Sequence, residues 1–241
     1  MQDTVNEQDL IEGTPQAAKP PGRVAFIIPV YNHAATVGGV VRQALALGYP
    51  VFVVDDGSTD ETPLRLADIQ GIHLLRHAKN QGKGAAILTG FMAACDVADF
   101  AVTLDADGQH YPEDALALVD AVPPDRRPII VGARKGMNAQ EGAHIPWTSR
   151  FGRKFSNFWV WLSGGPRLSD SQSGMRLYPL PESLSLPTRA RRFQFEVEIL
   201  VKAKRKGIPV IEIPVRVFYQ AGAQRISHFR PFVDFLRNSK T

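Results

Sequence analysis

The sequence predicts an α/β fold: a single domain with a mostly parallel central sheet and helices on both of its faces. Short apolar runs typical of buried strands alternate with segments of helical periodicity along the first half of the chain. The strand runs lack the polar alternation of half-exposed strands, as expected when both faces of a parallel sheet are covered. Polar or acidic clusters directly follow three of these strands. Ligands of such sheets bind at the carboxyl ends of the strands, so these clusters form the candidate site.

Length and composition limit the possible classes. The chain has 241 residues, enough for one sizeable α/β domain, with 44% hydrophobic and 22% charged residues. The formal net charge of +4 is mild and dispersed, which favours an anionic ligand or a membrane surface and argues against nucleic acid. The one cysteine, Cys95, excludes an intrachain disulfide and a cysteine metal site.

The amino-terminal segment differs in character from the rest. Residues 1–22 are polar, and we expect a disordered tail there, with the folded domain covering 23–241. The tail lacks the basic start and apolar centre of a signal peptide, and no apolar run reaches the roughly 20 residues that cross a bilayer. We therefore expect a cytoplasmic protein or one attached peripherally to the inner face of the membrane.

The predicted elements follow from these patterns in chain order. Strands are predicted at 23–30, 50–54, 72–75, 100–104, 129–132, 175–178 and 210–218. Helices are predicted at 34–47, 60–70, 85–94, 111–122, 147–162, 193–206 and 231–238. Asp60 is a good N-cap for the second helix. Pro214 cannot donate to a ladder, so the last strand should lie at the edge of the sheet.

The fourth strand ends in Asp105 and Asp107, with Gln109 two residues further on. Unpaired carboxylates are costly to bury, so they should emerge where the strand ends. Residues i and i+2 of an extended chain point the same way, so the two carboxylates should share one side. They would form an oxygen-rich corner suited to Mg²⁺ or Mn²⁺ and, through the metal, to a diphosphate. The alternative is an ordinary Asp-Gly turn.

Two further segments favour a nucleotide ligand. Asp55 and Asp56 follow the second strand, where a carboxylate can accept from a ring N–H of uracil or guanine or from a ribose hydroxyl. An Asp-Gly turn is the alternative, but it does not account for the doubled aspartate. The segment 80–84 contains Lys83 between glycines before a helix, which favours a phosphate. Alternatively, those glycines only allow the helix to pack tightly.

The second half of the chain carries less specific signals. Asp170 to Arg176 places an acid, an amide and a guanidinium around Gly174. Arg176 either clamps a phosphate with two hydrogen bonds or forms a structural pair with Asp170. Glu196 opens a helix, where it either stabilises the helix dipole or lines a pocket.

The predicted helix from Trp147 to Leu162 is rich in bulky side chains. Seven large apolar residues, three of them tryptophan, lie beside three basic residues. Such a helix packs in a core or lies at a membrane interface. Peripheral membrane contact through this segment is therefore one of two interpretations.

Together these motifs resemble the family-2 glycosyltransferases of the GT-A fold, and especially the dolichyl- and polyprenyl-phosphate sugar transferases. The resembling segments occur in the family's order over about residues 24–220. They are 28–32, 54–60, 80–85, 105–110, 170–176, 195–196 and 214–215.

The resemblance implies a function as well as a GT-A-like, Rossmann-like domain. It implies inverting, metal-dependent transfer of a sugar from a nucleotide-diphosphate sugar to a polyprenyl-phosphate lipid at the membrane surface. The nucleotide-sugar half would be 23–133 and the acceptor half 134–241. The alternatives are transfer to a hydroxyl acceptor and a non-catalytic nucleotide-sugar-binding module. A sugar nucleotidyltransferase would need a glycine-rich, lysine-containing loop after the first strand, and Tyr31 to Ala35 is not one.

The resemblance also assigns roles to residues. The expected nucleotide and diphosphate contacts are Pro29, Tyr31, Asp55, Asp56, Lys83 and Asp105. The expected ligands of Mg²⁺ or Mn²⁺ are Asp105, Asp107 and Gln109. The expected catalytic residues are Asp107, Asp170, Arg176 and Glu196. For a hydroxyl acceptor, Asp170 or Glu196 would take the proton. His33 stands where the family usually has glutamate.

Overall fold

The computed structural model describes residues 22–134, 157, 160–192 and 194–217. The predicted tail, apart from its last residue, lies outside the described residues. So do the predicted helix 231–238 and most of the predicted helix from Trp147 to Leu162.

The described residues form one seven-stranded sheet with helices on both faces. Its strands are β1 (Val24–Val30), β2 (Val51–Asp55), β3 (Ile72–Arg76), β4 (Phe100–Thr103), β5 (Ile129–Arg134), β6 (Arg176–Pro179) and β7 (Val210–Val215). The helices are α1 (Val37–Leu45), α2 (Thr62–Ala67), α3 (Lys83–Ala94), α4 (Ala115–Asp120) and α5 (Gln194–Arg205), with a short 3₁₀ turn (Pro112–Asp114) before α4. Within the part of the chain that is described, no helix is long and apolar enough to cross a membrane.

The strand order is β3-β2-β1-β4-β6-β5-β7, and only β6 runs antiparallel to its neighbours. The predicted mostly parallel sheet is therefore confirmed. The strand containing Pro214 lies at an edge, also as predicted. Thr103 of β4 pairs with Arg176 of β6, so the segment that follows β4 lies beside the segment that precedes β6.

Two apolar clusters hold the layers together. Phe26 of β1 packs with α1 and α4 on one face, and the next residue, Ile27, packs with α3 and α5 on the other. All residues of β1 and β2 are buried, because successive side chains enter opposite layers. Each large apolar side chain buried this way stabilises the fold by about 1.5–3 kcal/mol.

The start of α2 differs from the prediction. The helix begins at Thr62, with Glu61 at the cap position and no side-chain cap. Asp60 instead accepts hydrogen bonds from Thr62 N (2.9 Å) and Ala34 N (3.2 Å). The cap position is therefore one residue later than predicted, while the Asp60 carboxylate still accepts from the first N–H of α2 and ties the loop after β1 to the beginning of the helix.

Candidate functional site

The candidate site lies at one edge of the sheet, where the carboxyl ends of the parallel strands and the first residue of β6 come together. Asp55 ends β2, Asp105 follows β4 by two residues, and Arg134 ends β5. The antiparallel β6 brings its first residue, Arg176, to the same edge. The strand order reverses direction between β1 and β4, which is where ligands of open α/β sheets bind.

Lys83 joins three elements at this edge. Its ammonium lies 2.6 Å from Asp105 Oδ1 and 2.8 Å from Glu196 Oε1, so it links the loop after β4 to the first turns of α3 and α5. Burial alone would lower the pKa of Lys83, but the charges of Asp105 and Glu196 outweigh it and raise that pKa. Burial likewise opposes ionisation of Asp105, and the Lys83 charge reverses this and lowers the pKa of Asp105.

Asp107 lies close enough to Asp105 for the two carboxylates to repel each other. Its Oδ1 accepts a hydrogen bond from the backbone N–H of Gln109 at 3.0 Å. Burial and the Asp105 charge raise the pKa of Asp107. A cation between two repelling carboxylates would relieve this, so the donor set fits a divalent metal.

The described residues contain no group of three or more histidine, cysteine or acidic side chains that could hold a metal ion. Mg²⁺ does not require such a cage, since it is usually bound by one or two carboxylates together with substrate phosphates and water. Asp105 and Asp107 match that pattern. Gln109 is half-buried, and its backbone N–H rather than its side chain is bonded to Asp107, so its predicted ligand role stays a prediction.

Gly174 allows Asp105 to reach its position. A Cβ built on Gly174 would lie far inside van der Waals contact with Asp105 Oδ2, so any larger residue displaces that side chain. The segment before β6 therefore shapes the carboxylate corner after β4.

Asp55 and Asp56 have different surroundings. Asp56 lies 2.6 Å from His77 Nδ1 and accepts from the backbone N–H groups of Gln81 (2.8 Å) and Gly82 (2.7 Å). Asp56 therefore holds the loop that leads to Lys83. Its oxygens are occupied by protein donors, which gives it a positioning role in this structure.

Asp55, unlike Asp56, has a carboxylate oxygen that can still accept a hydrogen bond. Its Oδ1 accepts from Ser58 N at 2.8 Å. Its Oδ2 is buried 3.2 Å from Arg76 Nε, yet no donor is aligned to form a hydrogen bond with it. A buried, incompletely satisfied carboxylate oxygen is suited to accept from a ligand N–H.

Pro29 and Tyr31 flank the Asp55 position. In the β1–β2 register Val30 pairs with Asp55, so these two residues lie on either side of that pair. The backbone N–H of His33 donates to Thr62 Oγ1 at 2.9 Å, which fixes the loop after β1 independently of the His33 ring.

Asp170 is held by a partner other than the predicted one. Arg134 Nε and Nη2 donate to its two oxygens at 2.5 and 2.8 Å. Its backbone N–H donates to Glu212 Oε1 at 3.0 Å, and Glu212 also accepts from Ser169 N at 2.9 Å. Arg134 is therefore the hydrogen-bonded partner of Asp170 in this structure, and the alternative of an Asp170–Arg176 structural pair stays a prediction.

Arg176 is fully buried. Its guanidinium donates to the carbonyl oxygens of Ser173 (2.8 Å), Ser171 (2.8 Å) and Glu196 (2.6 Å). Backbone acceptors inside the protein use its donors in this structure, so a phosphate clamp would require Arg176 to exchange these partners, and that role stays a prediction.

Comparisons with known proteins place the chain in a family. Residues 25–179 match the family model "Glycosyl transferase family 2". The chain belongs to this family.

Similar proteins include several named sugar transferases. This family 2 glycosyltransferase is 31% identical over 216 residues to the UDP-N-acetylglucosamine--dolichyl-phosphate N-acetylglucosaminyltransferase of Methanococcus voltae, covering 81% of this chain and 86% of that protein. It is 29% identical over 213 residues to the polyprenol monophosphomannose synthase of Mycolicibacterium smegmatis, covering 83% and 79%.

Solved structures share the fold. Mannosyl-3-phosphoglycerate synthase from Rubrobacter xylanophilus superposes with a TM-score of 0.62 at 19% identity, covering 90% of this chain and 70% of that one. A 4-diphosphocytidyl-2C-methyl-D-erythritol synthase from Anaerococcus prevotii reaches 0.53 at 8% identity, covering 91% and 96%. The fold is therefore common to transferases of different chemistry, and the family membership identifies this chain as a glycosyltransferase.

Sequence reasoning missed two residues of the candidate site, Arg134 and His77. Each lies at or just after the end of a strand, at the edge that the carboxylates already mark. The rule that drew attention to Asp55 and Asp105 would have found them if it had been applied to basic residues as well.

Proposed function

We propose that this glycosyltransferase transfers a sugar with inversion from a nucleotide-diphosphate sugar to a polyprenyl-phosphate lipid. The observation that carries the proposal is the Asp105–Asp107 carboxylate pair at the carboxyl end of β4, next to Lys83 and the Asp55 loop. The relatives named for dolichyl-phosphate and polyprenol substrates support the choice of acceptor.

The donor half would bind the activated sugar through its nucleotide and diphosphate. Asp55 would accept from the base or ribose, with Pro29 and Tyr31 beside it, while Asp56 holds the loop that carries Lys83. Asp105 and Asp107, with Gln109 adjacent, would hold Mg²⁺ or Mn²⁺. Bound there, the metal would neutralise charge on the leaving diphosphate, usually the largest electrostatic contribution in such reactions.

The acceptor half favours a nucleophile that needs no strong base. Asp170 is bonded to Arg134 and Glu196 to Lys83, so either carboxylate must give up an ion pair before it can take a proton. A phosphate monoester is already anionic near neutral pH and can attack directly. These pairings therefore support a lipid phosphate over a hydroxyl acceptor.

Arg134, rather than the fully buried Arg176, is the proposed cation near the acceptor phosphate. It is paired with Asp170, so a phosphate would have to compete with that carboxylate for the guanidinium. Arg134 ends β5 at the site edge, and its charge is close enough to lower the pKa of Asp105. Arg176 then acts indirectly, by holding the backbone carbonyls of Ser171 and Ser173 in the segment before β6.

We also propose peripheral contact with the membrane through the segment from Trp147 to Leu162. Within the described end of that segment, Trp161 and Leu162 are 42% and 53% exposed. Arg167 lies over the Trp161 ring at 5.2 Å, so a basic group accompanies the exposed aromatic side chain.

The test is a transfer assay over uridine- and guanosine-diphosphate sugars with Mg²⁺ or Mn²⁺, with and without polyprenyl phosphate. We expect turnover that requires both metal and lipid phosphate. Asp107→Ala should reduce it by about 10³-fold or more while the circular dichroism spectrum stays unchanged. Asp125→Ala, at an exposed aspartate in the loop that precedes β5, is the matched control.

Full activity of Asp107→Ala, or of the wild type in excess chelator, would refute the metal-dependent mechanism. Turnover with hydroxyl acceptors alone would refute the lipid-phosphate acceptor. Binding of a nucleoside diphosphate with no turnover of any donor would identify a binding module instead of an enzyme.

A further inference from the structure

Lys83 occupies one of the two carboxylates proposed to hold the metal. Its Nζ lies 2.6 Å from Asp105 Oδ1, a distance typical of a strong charge-assisted hydrogen bond. The Lys83 side chain keeps 16% of its surface exposed and that of Asp105 keeps 25%, so a ligand can approach both. An ammonium therefore covers an oxygen that a divalent cation would need.

Glu196, the second partner of Lys83, is not one of the carboxylates proposed to hold the metal. Glu196 lies on α5, 2.8 Å from the ammonium, and its own backbone carbonyl is fixed by the buried Arg176. The ammonium can leave Asp105 and remain bonded to Glu196. Its position is therefore tethered, and its release from Asp105 costs one ion pair rather than two.

Two positive charges at the start of α3 attract an anion, the Lys83 ammonium and the dipole end of the helix. Lys83 is the first residue of this twelve-residue helix, and because the N–H of Ala85 already donates to the Arg191 carbonyl oxygen at 3.0 Å, the ammonium is the group that answers the anion. A diphosphate at this position would attract the ammonium and uncover Asp105 Oδ1.

We propose that Lys83 is an internal counter-ion that covers Asp105 until a diphosphate arrives, so that the diphosphate and the divalent cation bind interdependently. The inference rests on the metal–diphosphate site proposed above. Removing Lys83 then has opposite effects on the two ligands. A lone cation gains a vacant, more negative site, while a lone diphosphate loses its positive partner. By reciprocity, the ligand that displaces Lys83 raises the affinity for the other.

A purely structural role for Lys83 predicts a different pattern. If the lysine only ties α3 and α5 to the loop after β4, its loss disorders the corner, and both ligands bind more weakly. The sign of the change in cation affinity therefore separates the two roles.

The experiment measures two equilibria by titration calorimetry on the full chain, without turnover. One is Mn²⁺ alone, and the other is uridine or guanosine diphosphate in excess chelator. We expect Lys83→Met to bind Mn²⁺ about tenfold or more tightly than the wild type, since one positive charge a few Å away is removed. We expect it to bind the nucleoside diphosphate about tenfold or more weakly for the same reason.

Two variants serve as controls. Lys79→Met removes an exposed lysine four residues earlier and should leave both affinities unchanged. Lys83→Arg keeps the charge and should behave like the wild type in both titrations. If Lys83→Met does not fold, Lys83→Met with Glu196→Gln removes the stranded carboxylate and permits the same comparison.

Weaker or unchanged binding of Mn²⁺ by Lys83→Met would overturn the inference. If the wild type transfers sugar and the cation affinities still do not differ, the inference fails and the proposed function stands. If the wild type binds neither Mn²⁺ nor nucleoside diphosphate even when the two are supplied together, both fail together.

Discussion

The two halves of the site use their charged residues differently. In the proposed donor half, Asp105 and Asp107 emerge where a parallel strand ends, and the Asp105 side chain is 25% exposed although it is paired with Lys83. In the proposed acceptor half, Asp170 and Arg176 are almost completely buried and bonded inside the protein. The comparison shows that a charged residue at the site edge stays accessible to a ligand only where the fold does not enclose it together with its partners.

The difference follows from the direction of the strands. A parallel strand delivers its carboxyl end to the site and continues into a helix, whose own hydrogen bonds satisfy the backbone. The antiparallel β6 is entered from the site edge through an irregular loop, and the backbone groups of that loop need side-chain partners. Glu212 accepts from N–H groups of this loop, and Arg176 donates to its carbonyls.

Arg176→Met should have the largest effect on stability. Three carbonyl oxygens would lose a buried charged donor, and we expect the free energy of unfolding to fall by about 3–5 kcal/mol, measured by urea denaturation. Arg126→Met, at an exposed arginine, should change it by less than about 1 kcal/mol. If Arg176→Met were fully stable and its only defect were a raised KM for the acceptor, Arg176 would bind the acceptor phosphate directly. The contrast between the two halves would then be wrong.

Gly174→Ala tests the contact between the two halves. The new methyl group collides with the Asp105 carboxylate, and displacement of that carboxylate by about 1 Å should lower kcat by about 10²-fold. Steady-state kinetics with the donor varied would measure it.

The control for this variant is Gly39→Ala in α1. A Cβ there meets nothing within 4 Å, so alanine should leave kcat unchanged and stabilise the helix by up to about 1 kcal/mol. Equal kinetics for the two alanine variants would show that the segment before β6 does not determine the position of the Asp105 carboxylate.

Asp60→Asn should have the smallest effect. Burial raises the pKa of Asp60, but hydrogen bonds from Thr62 and Ala34 outweigh it and leave the pKa below its usual value. This carboxylate therefore stabilises the fold at pH values above about 4, and the contribution is lost as the pH falls further.

The amide variant should lose less than about 1 kcal/mol at pH 7 and show a shallower decline in stability toward acid. Urea denaturation at pH 7 and pH 3 measures this, with Asp125→Asn as the exposed control. If the free energy of unfolding fell between pH 7 and pH 3 by the same amount in Asp60→Asn and in the wild type, the charge of Asp60 would not stabilise the link between the loop after β1 and α2.

The sequence predicts much of the donor half because the relevant signals are local. Strand periodicity places Asp55 and Asp105 at strand ends, and Pro214 marks the edge strand. The ion pairs could not be predicted from local sequence signals, since Lys83 and Glu196 are 113 residues apart in sequence. The antiparallel direction of β6 is also non-local, because it depends on pairing with β4 and β5. Without it, burial of Arg176 could not be anticipated.

The match to the family model ends at residue 179, before α5 begins. Yet Phe195 and Ile199 of α5 complete the apolar layer over α3, and Gly84 at the start of α3 has no room for a side chain because Phe195 packs against it. A fragment cut after β6 would expose that layer and leave Lys83 without its second carboxylate. The recognisable family segment is therefore not an autonomous module, and excising it for expression should yield an aggregating polypeptide.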